Sequence, residues 1–205
     1  MPAQPRWLTI SDDFPDLVVD QTVWHVIRTG TEVDVTQADG RVEVSIGAGA
    51  VAGGPYNVID GHYGSQCRFP SDFDAQVDFT LIDWPESNGV FAGLNAFFAD
   101  TAVGRQSSIR WGEQYTAWVV PVSNGGIPGV NDTTGTVRIA RSNGVMSAYV
   151  LHKGQWLRLA TGRKTGTAVV GFQAMSTNDD FGHKAIRVAF DNFTIKAKDP
   201  TCPFQ

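Results

Sequence analysis

The residues of this 205-residue chain best suited to chemistry are carboxylates, isolated imidazoles and a cluster of aromatic and guanidinium groups. In Asp74-Ala75-Gln76-Val77-Asp78 the polar residues alternate, so in an extended chain they point to one face. Two carboxyl groups can share acid and nucleophile work when they stand about 5 Å apart. Asp74 and Asp78 would stand about 13 Å apart along a strand, with Gln76 between them, so the standard pair is missing. Catalytic groups need only converge in space, which leaves Asp78, Glu113 and His62 as candidate acids or bases drawn from different segments. His25, His62, His152 and His183 are isolated and form no metal-ligand spacing. Arg110, Trp111, Glu113, Tyr115 and Trp118 gather around Gly112. Aromatic rings can take an apolar face of a ligand while amides and guanidinium groups take its polar groups. On that chemistry Asn95, Arg110, Tyr115, Trp118, Arg138 and Tyr149 are the candidate ligand-binding residues.

The elements that must position these groups are strands. Residues 71–85 alternate almost without a break: Phe73, Ala75, Val77, Phe79 and Leu81 share one parity, and Asp72, Asp74, Gln76, Asp78 and Thr80 the other. That pattern predicts a long strand with one buried and one wet face, in an antiparallel sandwich rather than a parallel sheet. Val42, Val44 and Ile46 alternate after the turn residues Gln37-Ala38-Asp39-Gly40, and Asn143-Gly144 joins two further alternating runs, both hairpin signatures. Residues 90–98 pair an apolar parity with a second face of Phe91, Gly93, Asn95 and Phe97, and glycine inside a strand often marks close approach by a ligand or backbone. Residues 47–64, dense in glycine and interrupted by Pro55, are predicted to be a loop carrying Tyr56, His62 and Tyr63; residues 123–134 are predicted to be a second one. Residues 107–111 and 114–120 are predicted strands, bringing the total to about twelve. The predicted core includes Phe73, Val77, Phe79, Leu94, Ile139 and Val188.

With 42% hydrophobic residues the chain can bury roughly 70% of its unfolded surface, and an all-β domain of this size is commonly single, here 1–205. A net charge of −5 with dispersed basic residues gives no footprint for nucleic acid or an anionic membrane, and no apolar run approaches the roughly 20 residues that span a bilayer. The opening residues hold no apolar segment of signal-peptide length, so the chain as given is expected in the cytoplasm, or outside the cell if it is a mature or truncated form. Cys67 and Cys202 leave open a bridge or two free thiols.

Asp12-Asp13-Phe14, the segment from Val137 through Asn143-Gly144 with Tyr149 and Gly154-Gln155-Trp156, and the closing Phe190-Asp191-Asn192-Phe193-Thr194-Ile195 together carry a resemblance. The chain resembles the concanavalin A-like lectin/glucanase superfamily, in particular the laminin-G-like jelly rolls of bacterial carbohydrate-associated proteins. The resemblance implies two antiparallel sheets with a concave and a convex face, and a saccharide held on the concave side. It also implies adjoining termini, which makes Asp13 and Asp191 candidate ligands for a structural Ca²⁺, an ion that favours six to eight oxygens. The function expected first is a lectin-like carbohydrate-binding module. The alternative is a glycoside hydrolase or polysaccharide lyase on the same scaffold with a non-standard acid/base pair. Fold-level likeness alone does not choose between them.

Overall fold

The computed structural model describes residues 6–15 and 18–203; the opening residues 1–5, read above for an export signal, lie outside them. Among the described residues there is no helix, and fifteen strands form two antiparallel sheets. Sheet A has the order β13(Gln155–Arg163), β12(Val145–His152), β11(Thr134–Ser142), β6(Phe73–Asp83), β15(Ile186–Lys198), β4(Arg41–Ile46), β3(Val33–Ala38), with β1(Trp7–Asp12) also paired to β15. Sheet B has the order β10(Ser123–Pro128), β9(Gly112–Val119), β8(Thr101–Ser108), β7(Phe91–Phe97), β14(Val169–Thr177), β5(Val58–Ser65), β2(Trp24–Thr29).

The alternating run forms β6 in the middle of sheet A, and its apolar parity faces the core as the pattern requires. Phe73, Val77, Phe79, Leu94, Ile139 and Val188 are all buried. Asn143 and Gly144 both take positive φ, 51° and 73°, in the two-residue turn between β11 and β12, where such turns match the strand twist. At one end of the sandwich Phe14, Trp24, Tyr63, Phe172 and Phe193 form a fully buried aromatic cluster, with the Trp24 Nε1–H donating to Asp12 Oδ2 at 2.7 Å.

Three local expectations are corrected. The glycine-dense stretch 47–64 is not all loop, because its last residues form β5, in which Tyr63 faces the core and His62 the outside. Gly61 is there for packing rather than turning: a Cβ at this position would lie 2.4 Å from Val44 Cγ1. The expected loop 123–134 begins with β10, an edge strand on β9, and β8 ends at Ser108, so residues 109–111 are a turn instead of a strand.

A disulfide joins Cys67, just after β5 of sheet B, to Cys202, just after β15 of sheet A. Backbone bonds brace it: Arg68 N–H donates to Thr201 O at 2.8 Å and Thr201 N–H to Arg68 O at 2.9 Å.

Candidate functional site

The two outer faces differ in how they are built. On sheet A the strands alternate buried and accessible residues, as one packed and one wet face demand. On sheet B the central strands β5, β7, β8 and β14 are buried along nearly their whole length, on both faces. Side chains on that outer face therefore shelter one another, as on the floor of a concave sheet.

Register fixes who lies on this floor. His25 of β2 stands opposite Gly64 of β5, and His62 of β5 opposite Gln173 of β14. Gly171 of β14 stands opposite both Gly64 and Asn95 of β7. Asp60 shares the parity of His62 and Gly64 on β5, since Ile59 and Tyr63 face the core. The glycines create the space for the imidazoles. A Cβ on Gly64 would lie 2.4 Å from His62 Nε2 and 2.6 Å from His25 Cε1, and one on Gly171 would lie 2.8 Å from His62 Nε2. The two rings meet edge to face with centroids 5.2 Å apart, and Phe97 stacks on His62 at 4.3 Å.

This arrangement opens at one end into a recess of about 440 Å³ lined by His25, Ile27, His62, Arg68, Phe97 and Phe98, among others. Arg68 makes no salt bridge among the described residues, and the braced disulfide beside it fixes its backbone. Burial pushes the His62 imidazolium down to about 3, with the neighbouring His25 adding to the effect, and burial lowers His25 as well. Both rings are thus mainly neutral near pH 7, and the same burial weakens them as bases, His62 strongly. Burial drives the Asp60 carboxyl the other way, up to about 7.

Four buried side-chain atoms on this face have no hydrogen-bond partner: His25 Nδ1, Asp60 Oδ1, His62 Nε2 and Asn95 Nδ2. The other three such atoms among the described residues belong to Arg41 and Arg105. Buried polar atoms are normally paired, so a concentration of unpaired ones marks a functional or strained surface.

The residues expected from sequence do not form one site. Asn95 and Trp118 lie on the outer face of sheet B, where Trp118 packs against Phe91 at 5.0 Å. Arg138 and Tyr149 lie on the opposite sheet, so these candidates do not share one surface. There the Arg138 Nε–H donates to Asp74 Oδ1 at 2.6 Å, and its guanidinium sits 5.3 Å from the Tyr149 ring and 5.6 Å from that of Trp156. Arg110 is in the β8–β9 turn, 5.9 Å over Trp111. Tyr115 is not a ligand contact but a core residue, fully buried, with its hydroxyl bonded to Asp132 at 3.1 Å. The parity of a short strand beside Gly112 was too ambiguous to show this.

Of the catalytic candidates, only His62 joins the recess. Glu113 accepts from Trp84 Nε1 and from the buried Arg105, each at 3.0 Å, as well as from Ser107, an interior network that occupies its carboxylate. Asp78 lies on sheet A, accepting from Thr136 Oγ1 at 2.6 Å and Asn192 Nδ2 at 3.0 Å, and stands opposite Asp191. Asp191 accepts from the Asn192 N–H at 2.6 Å and lines a separate cleft with Arg41 and Asp78, while the Asp13 carbonyl faces the Gly40 turn. Among the described residues no three His, Cys, Asp or Glu side chains gather in a group fit to hold a metal ion. Sequence patterning passed over His25, Arg68, Asp60 and Phe97 as site residues. The alternation Asp60–His62–Gly64 was the available signal, hidden because glycines made the segment look like a loop.

No protein-family model matches the chain, and no curated protein matches its sequence. Solved structures do match. A β-1,3-glucanase from Mycobacterium marinum superposes with a TM-score of 0.61 at 11% identity, over 91% of this chain and 97% of that one. The β-glucanase of Bacillus licheniformis gives 0.60 at 11% identity, over 92% and 97%. An alginate lyase of polysaccharide lyase family 7 gives 0.61 at 12% identity, over 86% and 94%. The fold is the concanavalin A-like jelly roll. These similar jelly rolls are named for hydrolysis or elimination of polysaccharides, and at such identities the likeness extends to the fold alone.

Proposed function

We propose that the chain cleaves a uronic acid-containing polysaccharide by elimination, with its site in the recess on the outer face of sheet B. What supports this reading is the concentration on that face of buried polar atoms without partners, beside two neutral imidazoles and an unpaired guanidinium. Elimination at a uronic acid removes the proton next to the carboxylate, forms a carbon–carbon double bond and expels the glycosidic oxygen, which takes up a proton. No water is consumed. Arg68 would neutralise the substrate carboxylate, and His25, the less buried of the two rings, would accept the proton and return it to the departing oxygen. His62 holds His25 in place by edge-to-face contact over Gly64. Retaining hydrolysis fits less well, because burial alone, with no contribution from a neighbouring carboxylate, raises the Asp60 carboxyl on this face. The disulfide suits an oxidising compartment, so we place the protein outside the cytosol.

A second reading is the lectin-like one. It is favoured by one observation: Phe97 covers His62, which is only 5% exposed. Incubation with uronic acid polysaccharides and neutral glucans separates the cases. Elimination yields unsaturated products that disappear in His25→Gln; new reducing ends without unsaturation would show hydrolysis. Binding without either product would establish the lectin reading and end the catalytic one.

A further inference from the structure

The apolar half of the recess exceeds what an unsubstituted uronic acid requires. Such a sugar offers hydroxyls, a carboxylate and one C–H face for an aromatic ring, yet four apolar side chains, Ile27, Phe97, Phe98 and Val169, face the same space as Arg68. Phe98 is 76% exposed and Ile27 is 42% exposed, so this wall meets water unless a ligand covers it. Phe98 also takes a φ of 61°, uncommon for a bulky residue, at the end of β7 where the chain leaves the sheet. We propose that the recess takes a uronic acid residue carrying an O-acyl group, its carboxylate on Arg68 and its acyl group against Ile27, Phe97 and Phe98. This substrate class rests on the elimination reading above.

Charge and shape each argue for part of it. The chain carries a net charge of −5, so an unpaired guanidinium at a recess is a local attractor for an anion on an otherwise repelling protein. A volume of about 440 Å³ lies within the range of small-ligand sites and accommodates a sugar ring with a short substituent. The substituent has an apolar end for the aromatic wall.

The test uses one acetylated uronic acid polysaccharide and the same material after mild alkaline removal of its acetyl esters. Formation of unsaturated product gives kcat/KM on each, and equilibrium titration gives binding. The expected result is a preference of roughly tenfold for the acetylated form, the scale of one small apolar group in a pocket. Phe98→Ser and Ile27→Asn should each bring that ratio toward one, with thermal melting confirming that both variants fold. Equal cleavage of the two forms overturns the acyl subsite and leaves elimination standing. Cleavage of neither, with tighter binding of the acetylated form that Phe98→Ser removes, supports the subsite and overturns elimination. Cleavage of neither with equal binding overturns both.

Discussion

The outer faces of the two sheets carry similar residue types and use them in opposite ways. On sheet A, Asp74 holds Arg138, Asp78 takes hydrogen bonds from Thr136 and Asn192, and Arg187 lies 3.3 Å from Asp83. Arg41 pairs with Glu43, although its Nε lacks a partner. On sheet B, His25, Asp60, His62 and Asn95 share the outer face, and each keeps a buried polar atom unpaired. Partly exposed ion pairs contribute little to stability, about 0 to 1 kcal/mol each, but they do consume the chemistry of their members. A carboxylate committed to a guanidinium has its lone pairs occupied, whereas an imidazole without a partner keeps its lone pair free for a ligand, even where burial lowers its affinity for the proton. Residue type alone therefore does not identify the reactive face. The state of pairing is what separates the two faces.

The largest effect that could break this contrast is on turnover. His25→Gln should lower cleavage of a uronic acid polysaccharide by roughly 10²- to 10⁴-fold, the usual range for losing a general base. Asp78→Asn and Arg138→Ala, on the paired face, should change it less than about twofold. Steady-state rates on the same substrate decide the matter, and a large loss from the sheet A variants would move the site to the other sheet.

Next in size is the link between the sheets. The Cys67–Cys202 bridge spans 135 residues, and in the chain-entropy model closing such a loop stabilises by at most about 5 kcal/mol. Cys202→Ser should shift the urea midpoint down accordingly. Because Arg68 is hydrogen-bonded to Thr201 beside the bridge, the same change should also raise KM for an anionic substrate. An altered midpoint with KM unchanged would show that Arg68 does not touch substrate.

The sharpest contrast in pH response comes from Asp60. Its folded carboxyl titrates near 7 against an ordinary 3.8, so between these values the folded state holds a proton that the unfolded state has released. Stability from this group is full below about 3.8 and is lost as pH rises through 7. His62 acts oppositely: with its folded value depressed to about 3, stability is full above 6.5 and falls as pH drops toward 3. Asp60→Asn removes the first contribution alone. Its melting temperature should exceed that of the unaltered protein by an amount that grows from pH 4 to 7 and then levels off, corresponding to a few kcal/mol. A constant difference at all pH values would mean that Asp60 is solvated.

Most of the architecture was legible in the sequence because alternation is a direct image of a one-sided strand. Phe73 through Leu81 and the Asn143-Gly144 hairpin report it without help from tertiary structure. The site was much less legible, for the same physical reason. On β5, β7 and β14 both faces are buried, so the period-two signal fades, and the glycines that admit the imidazoles imitate a loop. Arg138 and Tyr149 show the complementary failure: parity gives the side of a strand, but not the sheet to which the strand belongs.

The smallest expected effect concerns calcium, and it tests whether sheet A hides a site of its own. Asp191 and Asp78 stand opposite each other across β15 and β6, which would suit a cation if their oxygens were free. They are not. Asp78 is bonded through both oxygens, to Thr136 and Asn192; Asp191 takes the Asn192 N–H, and Arg41 lines the same cleft with its own positive charge. Asp13 contributes a carbonyl near the Gly40 turn, and no third His, Cys, Asp or Glu gathers with these acids among the described residues. An ion favouring six to eight oxygens would have to displace these bonds and sit beside a guanidinium. Melting with excess calcium and with a chelator should therefore differ by less than about 1 °C, since only binding to the native state raises the melting temperature. A larger rise with calcium, abolished by Asp191→Asn, would show that the paired face gives up its hydrogen bonds for a metal and that the contrast between the two sheets is incomplete.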